Sequence, residues 1–272
     1  MMEDVASPDP VETQSCYRHP GRVTYVRCNR CDRYMCPDCM RAAPVGHQCV
    51  DCVREQPRTV RMSTPVVTYV LIALNVGAFL VETVSANVRR ELVLWAPAVA
   101  DGALYRLLTS AFMHYGVIHL LFNMWALWLV GPPLEAWLGR LRFITLYGLS
   151  ALGGAVFVYT LAPLNVATAG ASGAVFGLFA ATFVVGRRLN LDVRWAAALI
   201  VINLVITFAQ PGISWQAHIG GLITGALVSA AYAYPPRQRR NLVQVAVTIA
   251  VVVLFVILIH WRTADLVAQF GR

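Results

Sequence analysis

The fold is decided by one stretch, residues 170–177, which reads Gly170-Ala171-Ser172-Gly173-Ala174-Val175-Phe176-Gly177. It places the hydroxyl of Ser172 in a segment that is otherwise apolar enough for lipid. Packing is one explanation, because Gly173 and Gly177 form a small-xxx-small pair that lets two membrane helices approach closely. Catalysis is the other, because polar side chains at membrane depth are usually functional or paired.

Polar side chains in other apolar segments favour catalysis. His119 and Asn123 are four residues apart and therefore share one helical face, and His218 lies in a later segment. A serine needs a base to take its proton, and the intermediate of acyl transfer needs hydrogen-bond donors. We therefore expect Ser172 to be the nucleophile and His218 the base, with no carboxylate completing a triad. The oxyanion donors would be Asn123, His119 and the backbone N–H of Ser172.

Two further side chains flank this group. His114, five residues before His119, is another candidate for contact with the oxyanion or the substrate. Phe176 lies one helical turn after Ser172, so its ring could stack on the imidazole of His218.

The composition indicates a membrane protein. The 272 residues are 58% hydrophobic and only 13% charged, with a mean hydropathy of +0.59. Such a chain is too apolar for an ordinary soluble domain. The net charge of +8 comes from arginines in short groups between apolar runs, where they act as topology signals, so we expect no nucleic-acid partner.

Seven apolar runs are each near the length of about 20 residues that crosses a bilayer. They cover residues 65–84, 114–134, 142–161, 169–185, 195–209, 215–234 and 242–260. We therefore predict an all-α polytopic membrane protein. Its catalytic candidates fall in the second, fourth and sixth runs.

The arginines between these runs predict the orientation. They precede the first run and separate the second from the third, the fourth from the fifth and the sixth from the seventh. They are Arg54, Arg58, Arg61, Arg140, Arg142, Arg187, Arg188, Arg194, Arg237, Arg239 and Arg240. The positive-inside rule then places the N-terminus in the cytosol, the C-terminus outside, and the catalytic candidates at one depth near the outer surface.

The cysteines predict a separate metal-binding domain. All seven lie within residues 16–52, after a lead, residues 1–15, that we expect to be disordered. With His19 they form four pairs of two-residue spacing, which are Cys16/His19, Cys28/Cys31, Cys36/Cys39 and Cys49/Cys52. Each pair offers two ligands to a tetrahedral metal, so the pairs predict two zinc ions. Disulfides are disfavoured by the odd count and by a reducing cytosol.

The order of the pairs resembles a B-box-like or other cross-braced double zinc finger, in which alternate pairs share a metal. The resemblance implies one zinc ion on Cys16, His19, Cys36 and Cys39, and a second on Cys28, Cys31, Cys49 and Cys52. His47 is a ninth candidate, which could replace Cys49 or Cys52. In a domain this small the zinc ions would be structural and would supply the folding free energy. Any protein partner of this zinc-binding domain would be cytosolic.

Three motifs resemble those of the rhomboid intramembrane serine proteases. They are Gly170-x-Ser172-Gly173, His114-x4-His119-x3-Asn123 and Ala217-His218-x2-Gly221-x3-Gly225. The resemblance implies a six-helix core in which Gly221 and Gly225 bring the sixth helix to the fourth. The seventh run resembles the bacterial 6+1 arrangement. Tyr105-Arg106 and Gly131-x3-Glu135 also resemble family motifs, with Arg106 and Glu135 in structural roles.

These interpretations divide the chain into a zinc-binding domain (16–53), a linker (54–64), the rhomboid core (65–234) and a seventh helix with a tail (235–272). The resemblance implies an endopeptidase of the bacterial cytoplasmic membrane that cleaves transmembrane segments of single-pass or polytopic substrates near their outer ends, without a catalytic cofactor. The alternative is an inactive rhomboid-like protein that binds membrane clients. The presence of both Ser172 and His218 favours the protease.

The predicted orientation is testable with reporter fusions. A reporter that is active only outside the cytosol should be active when it is fused to the C-terminus, because seven spans follow a cytosolic N-terminus. The same reporter placed after Arg188, between the fourth and fifth runs, is the matched control and should be inactive, because this loop is predicted to be cytosolic. A cytosolic C-terminus would contradict seven spans and would remove either the fifth run or the last one.

Overall fold

The computed structural model of this chain describes residues 14–43, 46–55 and 64–270. The chain divides into two compact units, Met1–Arg61 and Met62–Arg272. Most of the predicted disordered lead, most of the linker with Arg58 and Arg61, and the last two residues lie outside the described residues.

The first unit is built from short elements around its cysteines. Two antiparallel pairs are formed by β1 (Ser15–Cys16) with β2 (His19–Val23) and by β3 (Met40–Ala42) with β4 (His47–Cys49), and α1 (Val50–Glu55) follows. The buried apolar side chains are six of the cysteines and Met35, with Cys31 half-buried beside them. A core made mostly of cysteine side chains has little apolar surface to bury.

The second unit is helical throughout. Its helices are α2 (Val66–Val84), α3 (Ala86–Leu92), α4 (Ala96–Ala100), α5 (Arg106–Thr109), α6 (Val117–Leu138), α7 (Arg140–Leu161), α8 (Ser172–Arg188), α9 (Arg194–Ala209), α10 (Trp215–Ala233) and α11 (Arg240–Phe270). Each predicted apolar run corresponds to one of the seven long helices, so the predicted fold class is confirmed.

Several helix bounds differ from those of the apolar runs by a few residues, and two of these differences change the environment of a side chain. The second run was expected to begin at His114, but α6 begins at Val117, so His114 lies in the preceding loop. The last run was expected to end at His260, whereas α11 continues to Phe270. This extension packs against the rest of the unit, because Leu266 is buried with Leu94 and Val99.

Within the part of the chain that the structure describes, four helices, α2, α6, α7 and α11, are long and apolar enough to cross a membrane. The fifth run is the shorter apolar helix α9, with 16 residues. Helices α8 and α10 are well enclosed, since α10 packs mainly against α8 and α7. Their small and polar residues face other helices, which explains why they are less hydrophobic than the outer helices.

Glycines let α8 and α10 approach until their backbones touch. A methyl group at Gly221 would overlap the carbonyl group of Gly173, and one at Gly225 would overlap the backbone of Gly177. Both glycines of the predicted small-xxx-small pair therefore serve packing. The packing and catalytic explanations of residues 170–177 are compatible, because Ser172 lies at the end of this contact.

Buried charged side chains fix the ends of other helices. The carboxylate of Glu135 on α6 accepts hydrogen bonds from the backbone N–H of Val67 (3.0 Å) and from both the N–H and the hydroxyl of Thr68 (2.8 Å each), at the start of α2. A side chain at Gly131 would meet Thr68 at 2.6 Å. Arg106 donates to the carbonyl of Val93 at 3.1 Å and holds the segment between α3 and α5.

The glycine contact gives a stability prediction. Gly221→Ala should lower the free energy of unfolding by about 1–3 kcal/mol, because the added methyl group forces α10 away from α8. Gly148→Ala on α7 is the matched control, since nothing lies within 4 Å of the added methyl group. Thermal unfolding in detergent measures both. Equal stability of the two variants would contradict the backbone contact.

Candidate active site and metal clusters

The catalytic candidates meet because three helices begin at one place. His119 is the third residue of α6, Ser172 is the first residue of α8, and His218 is the fourth residue of α10. Each side chain therefore lies in the first turn of its helix. The first backbone N–H groups of a helix have no partner within it, so polar side chains and free donors collect at these ends.

Ser172 and His218 form a hydrogen-bonded pair. Ser172 Oγ lies 2.8 Å from His218 Nε2. The ring of Phe176 stacks on the imidazole with 4.1 Å between the centroids and 17° between the planes. His218 is buried at 8% exposure, so packing holds its ring in one orientation. A hydroxyl in contact with an imidazole nitrogen in this setting can lose its proton to that nitrogen.

The other ring nitrogen of His218 has a partner that the sequence analysis missed. Thr207 Oγ1, on α9, lies 2.6 Å from His218 Nδ1. The sequence analysis considered only carboxylates as a third member of the site. A threonine in an apolar helix is a weak signal, because its hydroxyl commonly bonds to a carbonyl of its own helix.

The turn before α8 brings His119 close to the serine. Gly170 has φ of +131°, a conformation that favours glycine. A side chain at Gly170 would meet the ring of His119 at 2.7 Å and would lie 3.7 Å from Ser172 Oγ. The amide of Asn123 donates one hydrogen to the carbonyl of His119 at 2.9 Å and has a second to offer. The ring of His119 therefore lies beside the turn that carries Ser172, and Asn123 lies one helical turn after His119 on α6.

The ring of His114 packs against the ring of His119. Their ring centroids are 5.0 Å apart in an edge-on arrangement, and His114 is fully buried. The backbone N–H of His114 donates to the carboxylate of Glu82 at 3.2 Å, which ties this loop to the end of α2. Tyr115, which was not predicted from the sequence, has its ring nearly parallel to that of His119, with 6.5 Å between the centroids. These contacts give His114 a supporting position for the ring of His119.

Two groups of side chains in the first unit could each hold a metal ion. One consists of Cys16, His19, Cys36 and Cys39, and the other of Cys28, Cys31, Cys49 and Cys52. Within each group the ligand atoms lie within 4.8 Å of one another. Among the described residues neither group includes His47, so the alternate pairing predicted from the resemblance is the one that the fold brings together.

The surroundings of two thiols suit metal binding. Burial opposes ionisation of Cys16, but backbone N–H groups of Cys36 and Arg18 outweigh it and lower the pKa of this thiol to about 6. Cys28 is also buried, and N–H groups including that of Cys49, at 3.3 Å, lower its pKa to about 6. The thiolate is the form that binds a metal. Burial raises the pKa of Cys39 to about 11 and that of Cys52 to about 12, so each cluster holds thiols of both kinds. Donor type and spacing fit an ion in both clusters.

Comparison with known proteins identifies one matching domain and several relatives, three of which are described here. Residues 101–235 match the Rhomboid domain. The chain is 35% identical to Rhomboid protease GluP of Bacillus subtilis (strain 168) over 182 residues, which are 63% of this chain but only 36% of GluP. It is 35% identical to Putative rhomboid protease YdcA of the same organism over 177 residues, which are 61% of this chain and 87% of YdcA. It is 31% identical to Inactive RHOMBOID-like protein 8 of Arabidopsis thaliana over 153 residues, 54% of this chain and 43% of that protein.

Proposed function

This chain belongs to the rhomboid family, and on that premise we propose that it is an intramembrane serine endopeptidase with Ser172 as nucleophile and His218 as general base. The observation that carries the proposal is the 2.8 Å contact between Ser172 Oγ and His218 Nε2. Its substrates are single-pass or polytopic membrane proteins, cut near the outer ends of their transmembrane segments. The enzyme works in a bacterial cytoplasmic membrane, with its N-terminus in the cytosol.

The reaction follows from the geometry. Ser172 Oγ attacks the carbonyl carbon of the scissile peptide bond while its proton moves to His218 Nε2. The new oxyanion accepts hydrogen bonds from the backbone N–H of Ser172, the free amide hydrogen of Asn123 and a ring N–H of His119. His218 then gives its proton to the leaving amine. A water molecule, activated by the same imidazole, releases the acyl group.

Packing around the pair supports this sequence of steps. The stacked ring of Phe176 leaves the imidazole little freedom to turn, so no hydrogen bond to a carboxylate is needed to hold its plane. The low dielectric around His218 strengthens hydrogen bonds to a developing negative charge. The site performs acyl transfer with no catalytic cofactor.

The alternative function is an inactive protein that binds membrane clients. One relative of this chain carries the word inactive in its name, so membership of the family does not decide between the two functions. The paired Ser172 and His218, with a donor region beside them, support the protease. A client-binding protein would need neither the hydrogen bond nor the donors.

We also propose that the two cysteine clusters hold zinc. Three thiolates with one imidazole, and four thiolates, are donor sets that suit tetrahedral Zn²⁺ and leave no open position for a reacting water molecule. Bound zinc would supply folding free energy to a unit that has almost no other core. The zinc domain then offers a folded surface to a cytosolic partner.

Metal analysis of the purified chain should return two zinc ions per molecule. Cys36→Ser and Cys49→Ser should each remove one ion, because each breaks a different ligand set. His47→Ala is the control and should keep both ions. A stoichiometry of one or zero, or loss of an ion in the His47→Ala variant, would contradict the assignment. Mass spectrometry of the metal content measures it directly.

Substitutions at the site test the protease. Ser172→Ala and His218→Ala should each abolish cleavage of a transmembrane substrate in proteoliposomes, and the double variant should be no worse than either, because the pair acts as a unit. Asn123→Ala should lower kcat roughly 10²- to 10³-fold, the usual cost of one oxyanion donor. A fluorophosphonate probe should label the wild type at Ser172 only.

Ser229→Ala is the matched control for the serine variant. Ser229 is fully buried on α10, and its hydroxyl bonds to the carbonyl of Ala226 at 3.1 Å, away from the pair. This variant should cleave and be labelled like the wild type. Cleavage by purified Ser172→Ala protein would overturn Ser172 as the nucleophile. A folded wild type that neither cleaves nor reacts with the probe would favour the client-binding alternative.

A further inference from the structure

The hydroxyl of Thr207 lies between two partners. Thr207 Oγ1 is 2.6 Å from His218 Nδ1 and 2.7 Å from the carbonyl oxygen of Asn203, one turn earlier on α9. A carbonyl oxygen only accepts hydrogen bonds, so the single hydroxyl proton of Thr207 is used toward Asn203. Toward His218 the threonine oxygen is left as an acceptor. With the hydroxyl proton toward Asn203, the proton in the contact with His218 comes from Nδ1.

We propose that Thr207 is a positioning residue that holds His218 in the tautomer with its proton on Nδ1. The neutral imidazole then carries its lone pair on Nε2, the nitrogen that faces Ser172. This inference rests on the proposed function, in which Nε2 takes the serine proton. Thr207 occupies the place that a carboxylate has in a catalytic triad, with a neutral oxygen as the acceptor.

The opposite arrangement would disable the base. If Thr207 donated its proton to Nδ1, the neutral ring would carry its own proton on Nε2 and point it at Ser172 Oγ. That nitrogen could not accept the serine proton. The carbonyl of Asn203 would also lose the hydroxyl at 2.7 Å. The bond from Thr207 to its own helix therefore selects the productive tautomer.

The same bond persists during proton transfer. When Ser172 Oγ forms its bond to the substrate carbon, its proton passes to Nε2, and the ring becomes an imidazolium with N–H groups on both nitrogens. The Nδ1–H bond to Thr207 is unchanged and becomes charge-assisted. When the proton passes on to the leaving amine, the ring returns to its starting tautomer.

The packing of α9 makes this contact unusual. Along α9, which the structure describes throughout, only Ala196 and Thr207 are buried. Val205 and Phe208, on either side of Thr207, are 62% and 64% exposed. The C-terminal end of α9 is thus attached to the site through Thr207. A substitution that conserves the shape of the side chain is needed to separate the effect of the hydroxyl from the effect of packing.

The test compares Thr207→Val, which keeps the shape, with Thr207→Ser, which keeps the hydroxyl. Thr207→Val should lower kcat about 10- to 100-fold with KM unchanged, the range expected for loss of one buried hydrogen bond. Thr207→Ser should restore most of the rate. Thr182→Val on α8 is the matched control, because Thr182 also bonds to its own helix, at 2.8 Å from the carbonyl of Leu178, without a histidine partner.

The ring nitrogens of His218 report the tautomer independently of activity. In ¹⁵N NMR spectra of the histidine-labelled chain, with His218→Ala used to assign the signals, the wild type should carry its proton on Nδ1. Thr207→Val should shift the population toward the Nε2–H form.

A wild type protonated on Nε2, full activity of Thr207→Val, or a Thr207→Ser variant as slow as Thr207→Val would overturn the inference. An active wild type with fully active Thr207→Val overturns this inference alone. A wild type that has the Nδ1–H tautomer but shows no cleavage and no probe labelling overturns the proposed function. That result would still support the role of Thr207 in selecting the tautomer.

Discussion

The backbone contact between α8 and α10 is the constraint on which the site depends. Gly173 lies directly after Ser172, and Gly221 lies three residues after His218, so both glycines belong to the same helical turns as these two side chains. Lipid offers no hydrophobic drive to join two helices, and close van der Waals packing has to hold them. The distance between Ser172 and His218 is therefore set by rigid backbones rather than by flexible side chains.

Helix ends supply the electrostatics of the site. The N-terminal end of a helix carries a partial positive charge and unpaired N–H groups, and three such ends, those of α6, α8 and α10, meet here. An oxyanion at this place would be stabilised by dipoles that are already oriented, so little reorganisation is needed during the reaction.

Buried polar groups away from the site keep its frame in register. Glu135 binds the start of α2, and Glu82, near the other end of α2, binds the loop that carries His114. Each carboxylate accepts backbone N–H groups that would otherwise be unpaired in an apolar setting, where an unpaired group is costly. Helix α2 therefore has one end fixed to α6 and the other end fixed to the loop that precedes α6. Through His114 the second of these contacts reaches His119.

Local patterns in the sequence determined the elements of this protein. Apolar length predicted seven helices, two-residue spacing predicted four ligand pairs, and serine and histidine in apolar runs predicted the reactive pair, because these features depend only on near neighbours along the chain. The tertiary structure decided which distant groups meet. It placed Thr207 on His218, put His114 behind His119, carried α11 to Phe270 and excluded His47 from both clusters. Such contacts join separate elements, and their partners are chosen by packing and backbone geometry, which spacing along a chain does not encode.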